Sequence, residues 1–407
     1  MAQGRQGPKT AGNQNIINAQ RAAAEPKKRR VRHFYDYSLL FAVIFITAFG
    51  LIMIYSSSQY MAMINSLSPD YYFKRQLIIA GAGLVVALII SKINYRIFRL
   101  KFFVWGAYWV SVGLLVATQI MGIASHGRTR WIEIAGVSFQ PTELAKASMI
   151  LFTAYMISRN PSVMNRSGRS WGGWKIYLWM LPPFLLITSQ NLSSGIIVFG
   201  IVTVMLFIAT KKSRVFYILG IIGVICYIFR YRVVGAIEFI GSTTGILQPY
   251  QMERILSWLY PEQYDAYQTM QGLYAIGSGG FTGQGLGESL QKLGPLPEAH
   301  NDMIFTVICE ELGLFGAVSV ILIFLFIIYR CMLIASNSPD LFGSFLAIGV
   351  MAHISIQVVL NIAVVTNSIP NTGVTLPFIS YGGTAVLILM AEIGLVLSVS
   401  NRIKLEH

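Results

Sequence analysis

The chain has 407 residues, 55% of them hydrophobic and 12% charged, with a mean hydropathy of +0.60. That balance excludes an ordinary soluble domain and, with repeated apolar runs of spanning length, defines a polytopic membrane protein. A formal net charge of +14 would suit nucleic-acid binding, but the cations alternate by side of the membrane, which makes them an orientation signal.

Residues 1–34 are rich in Gln, Asn, Ala and basic residues and end near the cluster KKRRVR, too polar for the core of a signal peptide. They read as a disordered cytoplasmic tail. Residues 405–407 read as a tag remnant, leaving 35–404 as the membrane domain. The first three apolar spans are expected over 37–57, 77–90 and 103–122. Aromatic residues beside Lys74 and Arg75 suit a membrane interface, where rings sit at headgroup depth and cations reach outward. Pro141 can occupy the first turn of a helix without forfeiting a hydrogen bond, so the fourth span is expected over 141–158. Glu143 and Lys146 then share one helical face just inside the apolar region, as a packing ion pair or as part of a wet functional cavity.

Basic loops flank residues 176–209, so these must cross twice, reversing at 189–191. The last four spans are expected over 215–229, 312–329, 341–366 and 380–400. On the ninth, His353, Gln357 and Asn361 recur every four residues, a polar stripe of the kind that joins helices. Cys226, Cys309 and Cys331 lie in or beside apolar runs at unrelated spacings and read as small core residues, with neither a disulfide framework nor a metal site suggested. Ten spans put both termini on one side. That side holds 22 of the 31 Lys and Arg, as cytoplasmic segments require, so the long segment 230–301 faces outward.

This outer segment has no long apolar run. Residues 249–260 place Met252, Ile255, Leu256 and Leu259 at helical spacing, which predicts an amphipathic helix on the membrane surface or closing over the bundle. The glycines of 277–287 match neither the dinucleotide nor the phosphate-loop spacing, so tight turns or a mobile lid are the stronger reading. Three carboxylates compete for an acid–base role: Glu262, Asp265 and Asp302. Asp265 lies in a loop able to reach over an outer cavity, while Asp302 opens a helix that it can cap. Glu310 and Glu311 stand beside apolar surface and need cationic or polar partners.

Seven separated motifs together resemble the RodA/FtsW/SpoVE family of cell-wall polymerases, the SEDS family. They are MIYSSS at 53–58, KRQ at 74–76, RTRWIEIAGVSFQPTELAK at 128–146, PYQMERI at 249–255, GQGLGESLQKLGPLPEAHND at 283–302, EELG at 310–313 and NTGVTLPFISYGGTA at 371–385. The resemblance runs over residues 36–402. It implies an all-α fold of ten transmembrane helices with a large extracellular loop between spans seven and eight. It also implies a peptidoglycan glycosyltransferase that polymerises lipid II on the outer face of the cytoplasmic membrane. The implied partners are a class B penicillin-binding protein and other divisome or elongasome membrane proteins, with no nucleic acid. The run QKLGPLPEAHND is more similar to the division member than to the elongation member. Where relatives carry Pro-Asp-Leu-Gly between spans five and six, this chain has Gln190-Asn191-Leu192-Ser193, so a carboxylate role there is absent.

The resemblance further implies a catalytic aspartate in the outer loop. Asp265 stands at the matching place, as general base toward the acceptor sugar hydroxyl. The loop is shortened there, and Glu262 is the alternative. The leaving lipid diphosphate needs cations, for which Arg130, Lys146, Arg254 and Lys292 are the outer-side candidates, with a divalent Mg or Mn ion bridging phosphates. Glu143, Glu298, His300, Asp302, Ser380, Tyr381, Gly382 and Gly383 are implied as lining the substrate site, and no organic cofactor is expected. A lipid II flippase and a non-catalytic scaffold for a penicillin-binding protein are the competing readings. The gathering of polar groups on the outer side and the want of an inverted repeat speak against the flippase.

Overall fold

A computed structural model describes residues 32–121, 123–125, 128–134, 137–160, 173–210, 214–232, 234–235 and 249–405. Each predicted span is helical. The first four are α1 (Tyr37–Ile64), α2 (Tyr71–Lys92), α3 (Lys101–Met121) and α4 (Pro141–Arg159). A small antiparallel sheet of β2 (Ile123–Ser125), β3 (Arg128–Ile134) and β4 (Val137–Phe139) lies between α3 and α4. Then follow α5 (Trp174–Gln190), α6 (Leu192–Ala209) and α7 (Arg214–Ile228). Two shorter helices, α8 (Pro249–Leu259) and α9 (Tyr267–Gly279), precede α10 (Ile304–Ser336), α11 (Leu341–Val365) and α12 (Gly383–Ser400). Seven of these, namely α1, α2, α3, α6, α10, α11 and α12, are long and apolar enough to cross a membrane.

Local chemistry sets the element ends. Asp36 caps α1 by accepting from Leu39 N at 2.9 Å. Asn191 is the single residue between α5 and α6, and its Oδ1 accepts from Ser193 N (3.1 Å) and Ser194 N (3.4 Å). The predicted reversal is therefore one capping residue, and Pro182 and Pro183 sit inside α5 without ending it.

The largest departure from the sequence reading is at α10, which begins at Ile304 where a span was expected from 312. Glu310 and Glu311, expected beside apolar surface and in need of partners, are buried within the helix. The helix carries on across Gly313, which is non-helical at φ 65° and ψ −163°. The break leaves backbone groups without helical partners, and the Gly-rich loop supplies them. Gln284 N donates to the Glu310 carbonyl (2.9 Å) and Gly285 N to that of Glu311 (3.0 Å), while Leu314 N and Phe315 N donate to the carbonyls of Gly280 (2.9 Å) and Phe281 (3.2 Å). Gly283 has φ +83°, and a Cβ there would lie 2.1 Å from the Glu311 carbonyl oxygen, so only glycine fits. The glycines thus form tight turns spliced into a helix break.

The core is helix on helix. Gly83 of α2 meets Met390 of α12 and Gly394 of α12 meets the Ala87 backbone, which brings the two helices close. Gly349 of α11 faces Ile150 of α4. Cys309 and Cys331 are buried as expected, whereas Cys226 is exposed on α7.

At the terminal face, residues 32–34, assigned from sequence to the tail, form β1 (Arg32–Phe34). This strand pairs antiparallel with β5 (Ile403–Leu405), so Leu405 belongs to the paired end. The remaining tail residues, 1–31, and 406–407 lie outside the described residues. Arg330 grips both oxygens of Asp36 at 2.7–3.2 Å, and Tyr95 and Arg96 hold Asp340 at 2.8 and 3.0 Å.

Candidate active site at the loop face

Segments far apart in sequence converge at the opposite, loop face on a cavity of about 1100 Å³, ample for a drug-sized ligand or larger. Both signs of charge line it: Arg75 from α2 and Arg254 from α8 face Glu143 from α4 with Glu298 and Asp302. Apolar residues of α2 and α12, such as Ile78, Ile79 and Leu387, carry its wall toward the membrane side.

One wall is a hydrogen-bonded unit that explains three of the motifs. The turn over 376–382 leaves backbone groups outside any helix, and polar neighbours satisfy them. Ser380 Oγ donates to the Asn301 carbonyl and accepts from Leu376 N, both at 2.7 Å. Tyr381 N donates to the His300 carbonyl at 2.9 Å. Gln76 of α2 donates to the Ser380 carbonyl and accepts from Gly382 N, each at 3.4 Å. Ser380 is accordingly buried and positions the turn, while Tyr381, Gly382 and Gly383 line the cavity. The His300 ring packs between Tyr72 and Tyr381, with centroids 4.8 and 5.6 Å away. Burial holds its pKa below the usual imidazole value, although the charge of Glu298 opposes this. Burial raises the Tyr381 hydroxyl, with Arg75 close enough to counter part of the effect.

Asp302 does not act as the helix cap that its position suggests. Met303 takes the cap position of α10 and makes no side-chain cap bond, and Asp302 Oδ1 has no hydrogen-bond partner among the described residues. The carboxyl instead lines the cavity, where burial first and the charge of Glu298 second push its pKa up to about 7. Glu298 has φ +55° and accepts from Asn301 Nδ2. Asn361 from the polar stripe donates to the carbonyls of Asp302 (2.8 Å) and Val374 (2.7 Å). Gln357 donates to the Thr375 carbonyl at 3.0 Å, and His353 Nδ1 lies 2.8 Å from Glu392 Oε2. The stripe therefore joins α11 to its neighbours, as its spacing suggested.

Lys146 Nζ lies 2.8 Å from Glu143 Oε2, and both side chains are almost fully buried. Glu143 faces the cavity and Lys146 stands behind it. The predicted amphipathic helix α8 closes over the bundle: Leu256 and Leu259 are buried, Trp258 Nε1 donates to the Asn367 carbonyl (3.0 Å) and Arg254 Nη1 to that of Asn371 (3.3 Å).

Other expected site residues fall elsewhere. Lys292 is buried away from the cavity lining, with Nζ 2.6 Å from Glu311 Oε1, 2.7 Å from Ser56 Oγ and 2.7 Å from the Gly287 carbonyl. Asp265 is exposed, two residues before α9, and its Oδ1 accepts from Tyr267 N at 3.0 Å. Asp265 is not among the residues that line the cavity, whereas Gln268, three residues on, is. Glu262 is exposed in the same loop. The backbone of Arg130 is in β3, and its side chain lies outside what the structure describes. Arg75, Asn191 and Asn301 line the cavity without having been singled out. Arg75 was read only as an interfacial cation, although its place in KRQ beside the clamping Gln76 is a usable signal. Among the described residues, no three His, Cys, Asp or Glu side chains group to hold a metal ion.

Helices of spanning length whose ends wall a cavity of mixed charge define a polytopic membrane protein. The chain belongs to the FtsW/RodA/SpoVE family, described as Cell cycle protein, which matches residues 37–405. It is 37% identical over 378 residues to a probable peptidoglycan glycosyltransferase FtsW of Trichlorobacter lovleyi, covering 91% of this chain and 94% of that one. It is 35% identical to stage V sporulation protein E of Bacillus subtilis, covering 90% and 97%. Among solved structures, a chain from a study of polymerization and crosslinking by a peptidoglycan synthase complex matches with a TM-score of 0.70 and 26% identity, covering 90% and 97%. Thermus thermophilus rod shape determining protein RodA shares the fold, with a TM-score of 0.62, 24% identity and coverage of 93% and 99%.

Proposed function

We propose that this protein is a peptidoglycan glycosyltransferase of the division type, polymerising lipid II on the outer face of the cytoplasmic membrane. Family membership supports the activity, and one observation carries the site: a single loop-face cavity holds Arg75, Arg254 and the buried carboxyl of Asp302. In this reading all ten helices α1–α7 and α10–α12 cross the membrane, both termini are cytoplasmic and the loop over 230–301 is extracellular. A class B penicillin-binding protein is the inferred partner, within the division or elongation assembly.

The acceptor sugar hydroxyl is a weak nucleophile until its proton is removed during attack, for which a positioned carboxylate contributes about 100- to 10,000-fold. Asp265 takes that role from the exposed loop before α9, with Glu262 as its alternative. The new glycosidic C–O bond forms as the bond to the lipid diphosphate breaks. Arg254 and Arg75 face the charge that develops there, and the Glu143–Lys146 pair fixes the cavity wall behind it. A bound Mg or Mn ion would neutralise part of the diphosphate charge. Glu298 and Asp302, carboxylates lining the same cavity, would hold such an ion.

Purified protein given lipid II in detergent, with its penicillin-binding partner, is expected to form glycan chains. Lipid II movement across vesicles without chain formation would instead indicate a transporter. Asp265→Asn is expected to slow polymerisation about 100- to 10,000-fold with thermal stability unchanged. Full activity in that variant would remove Asp265 from the mechanism.

A further inference from the structure

A second, smaller cavity of about 350 Å³ adjoins the first and shares two of its residues, Asn191 and Arg254. It lies where the first turn of α6, the helix α8, the end of α11 and the turn over 369–372 meet, and it falls at the lower end of the size range of ligand sites. Leu192, Ile196, Ile255, Leu360, Ile369 and Pro370 make its walls apolar. The polar groups around it are turned onto one another: Asn191 caps α6, Ser193 Oγ donates to the Thr372 carbonyl at 2.8 Å, and Asn371 Nδ2 donates to Gln268 Oε1 at 2.8 Å. Ile196 is 44% exposed and Val359, beside Leu360, is 64% exposed, so the flank of the bundle at this cavity faces lipid. At the inner end, the bond from Arg254 to the Asn371 carbonyl holds the guanidinium on the partition between the two cavities.

We propose that this smaller cavity seats the isoprenoid chain of the donor, the lipid whose diphosphate Arg254 faces in the main cavity. The inference rests on the reading of the chain as a lipid II polymerase and deepens it by giving one of the two lipids a place. A polymerase of this kind joins two lipid-linked molecules, so two chains must run from the main cavity into the bilayer at once. The wall of Ile78, Ile79 and Leu387 on α2 and α12 offers one route, and the cavity between α6, α8 and α11 offers another on different helices. An apolar pocket inside a membrane does not select a chain by hydrophobicity, because the surrounding lipid is as apolar as its walls. Selection comes from the head. The planar guanidinium of an arginine matches a phosphate with paired, charge-assisted hydrogen bonds, and Arg254 stands where a chain in the smaller cavity would join a head in the larger one. A prenyl diphosphate satisfies both halves of this arrangement, whereas a prenyl alcohol satisfies only the apolar half.

The test is photolabelling of the full chain in detergent with farnesyl diphosphate that carries a diazirine on its terminal isoprene unit, followed by peptide mapping. Label is expected on residues 192–196 and 369–372. Unlabelled farnesyl diphosphate should displace it at about 10- to 100-fold lower concentration than farnesol or phosphatidylglycerol, the difference a charged, hydrogen-bonded head makes. Leu360→Trp fills the cavity and is expected to cut this labelling about tenfold while label on residues 78–82 is kept. Undiminished labelling of 192–196 and 369–372 in folded Leu360→Trp would overturn the proposal, as would label confined to α2 and α12 in the wild type. Equal displacement by phosphatidylglycerol overturns it too, by making the cavity an ordinary phospholipid site. Should Leu360→Trp not fold, Arg254→Gln is expected to abolish the preference for farnesyl diphosphate over farnesol at 192–196, and a retained preference overturns the proposal. Absence of polymerisation by the wild type sinks the functional reading, whereas polymerisation with no label on 192–196 or 369–372 sinks this inference alone.

Discussion

Two buried polar clusters sit at the loop face, and they differ in what meets Glu310 and Glu311 on one side and Asp302 on the other. In the buttress between α1 and α10, Glu310 accepts from Ser289 Oγ, Leu290 N and Gln291 N, and Glu311 Oε1 is met by Lys292 and Ser56. Glu311 Oε2 and Asp302 Oδ1 both lack a hydrogen-bond partner among the described residues, but Glu311 is ion-paired to Lys292, whereas in the cavity Asp302 has no such ion pair among the described residues and sits beside the charge of Glu298. Buried charge met by donors ties elements together, while buried charge left unsatisfied beside open space is available to a ligand. The motifs divide the same way. MIYSSS, EELG and the Ser289–Lys292 stretch build the buttress, and KRQ, PTELAK, PYQMERI, HND and SYGG build the cavity.

The sharpest way to break the comparison is Lys292→Ala. It leaves Glu311 buried without its cation and is expected to destabilise the fold by about 3–5 kcal/mol, seen as a lower unfolding temperature. Activity per folded molecule should survive, and its selective loss would return Lys292 to the substrate site. Next in size is the pH dependence of stability set by Asp302. Its pKa is raised from 3.8 to about 7 on folding, so between those values the folded state binds more protons than the unfolded one. Stability should therefore fall as pH rises from about 4 through 7, by up to about 4 kcal/mol in the limit of full burial. Thermal unfolding across that range should show a slope that Asp302→Asn removes. The smallest expected effect is at Asn191, where Ala forfeits the α6 cap for about 1 kcal/mol and Asp, which keeps the accepting oxygen, largely restores it. Equal unfolding temperatures for the two variants would show that the cap contributes nothing.

The helices were legible because apolar runs of spanning length are a local signal, and Glu143 with Lys146 was legible because three residues make one helical face. Lys292 was not. Its partner Ser56 is 236 residues away, and nothing local distinguishes a cation aimed at a diphosphate from one aimed at a buried glutamate. Asp302 was legible only through the resemblance, which put it at the substrate site: its position before a helix by itself suggests a cap, and only the three-dimensional surroundings show the carboxyl lining the cavity. The start of α10 was misplaced because the donors that let EELG remain inside a helix come from a glycine loop.

That splice has a further consequence, for what chain lengths the fold tolerates. Surface loops ordinarily accept insertions and deletions. Here residues 280–285 exchange four backbone hydrogen bonds with 310–315, in both directions across the Gly313 break. One residue added between Gly280 and Gly285 would shift donors off acceptors on one side of the break while leaving the other in place. The most glycine-rich stretch of the protein is thereby the one whose length is least free to vary.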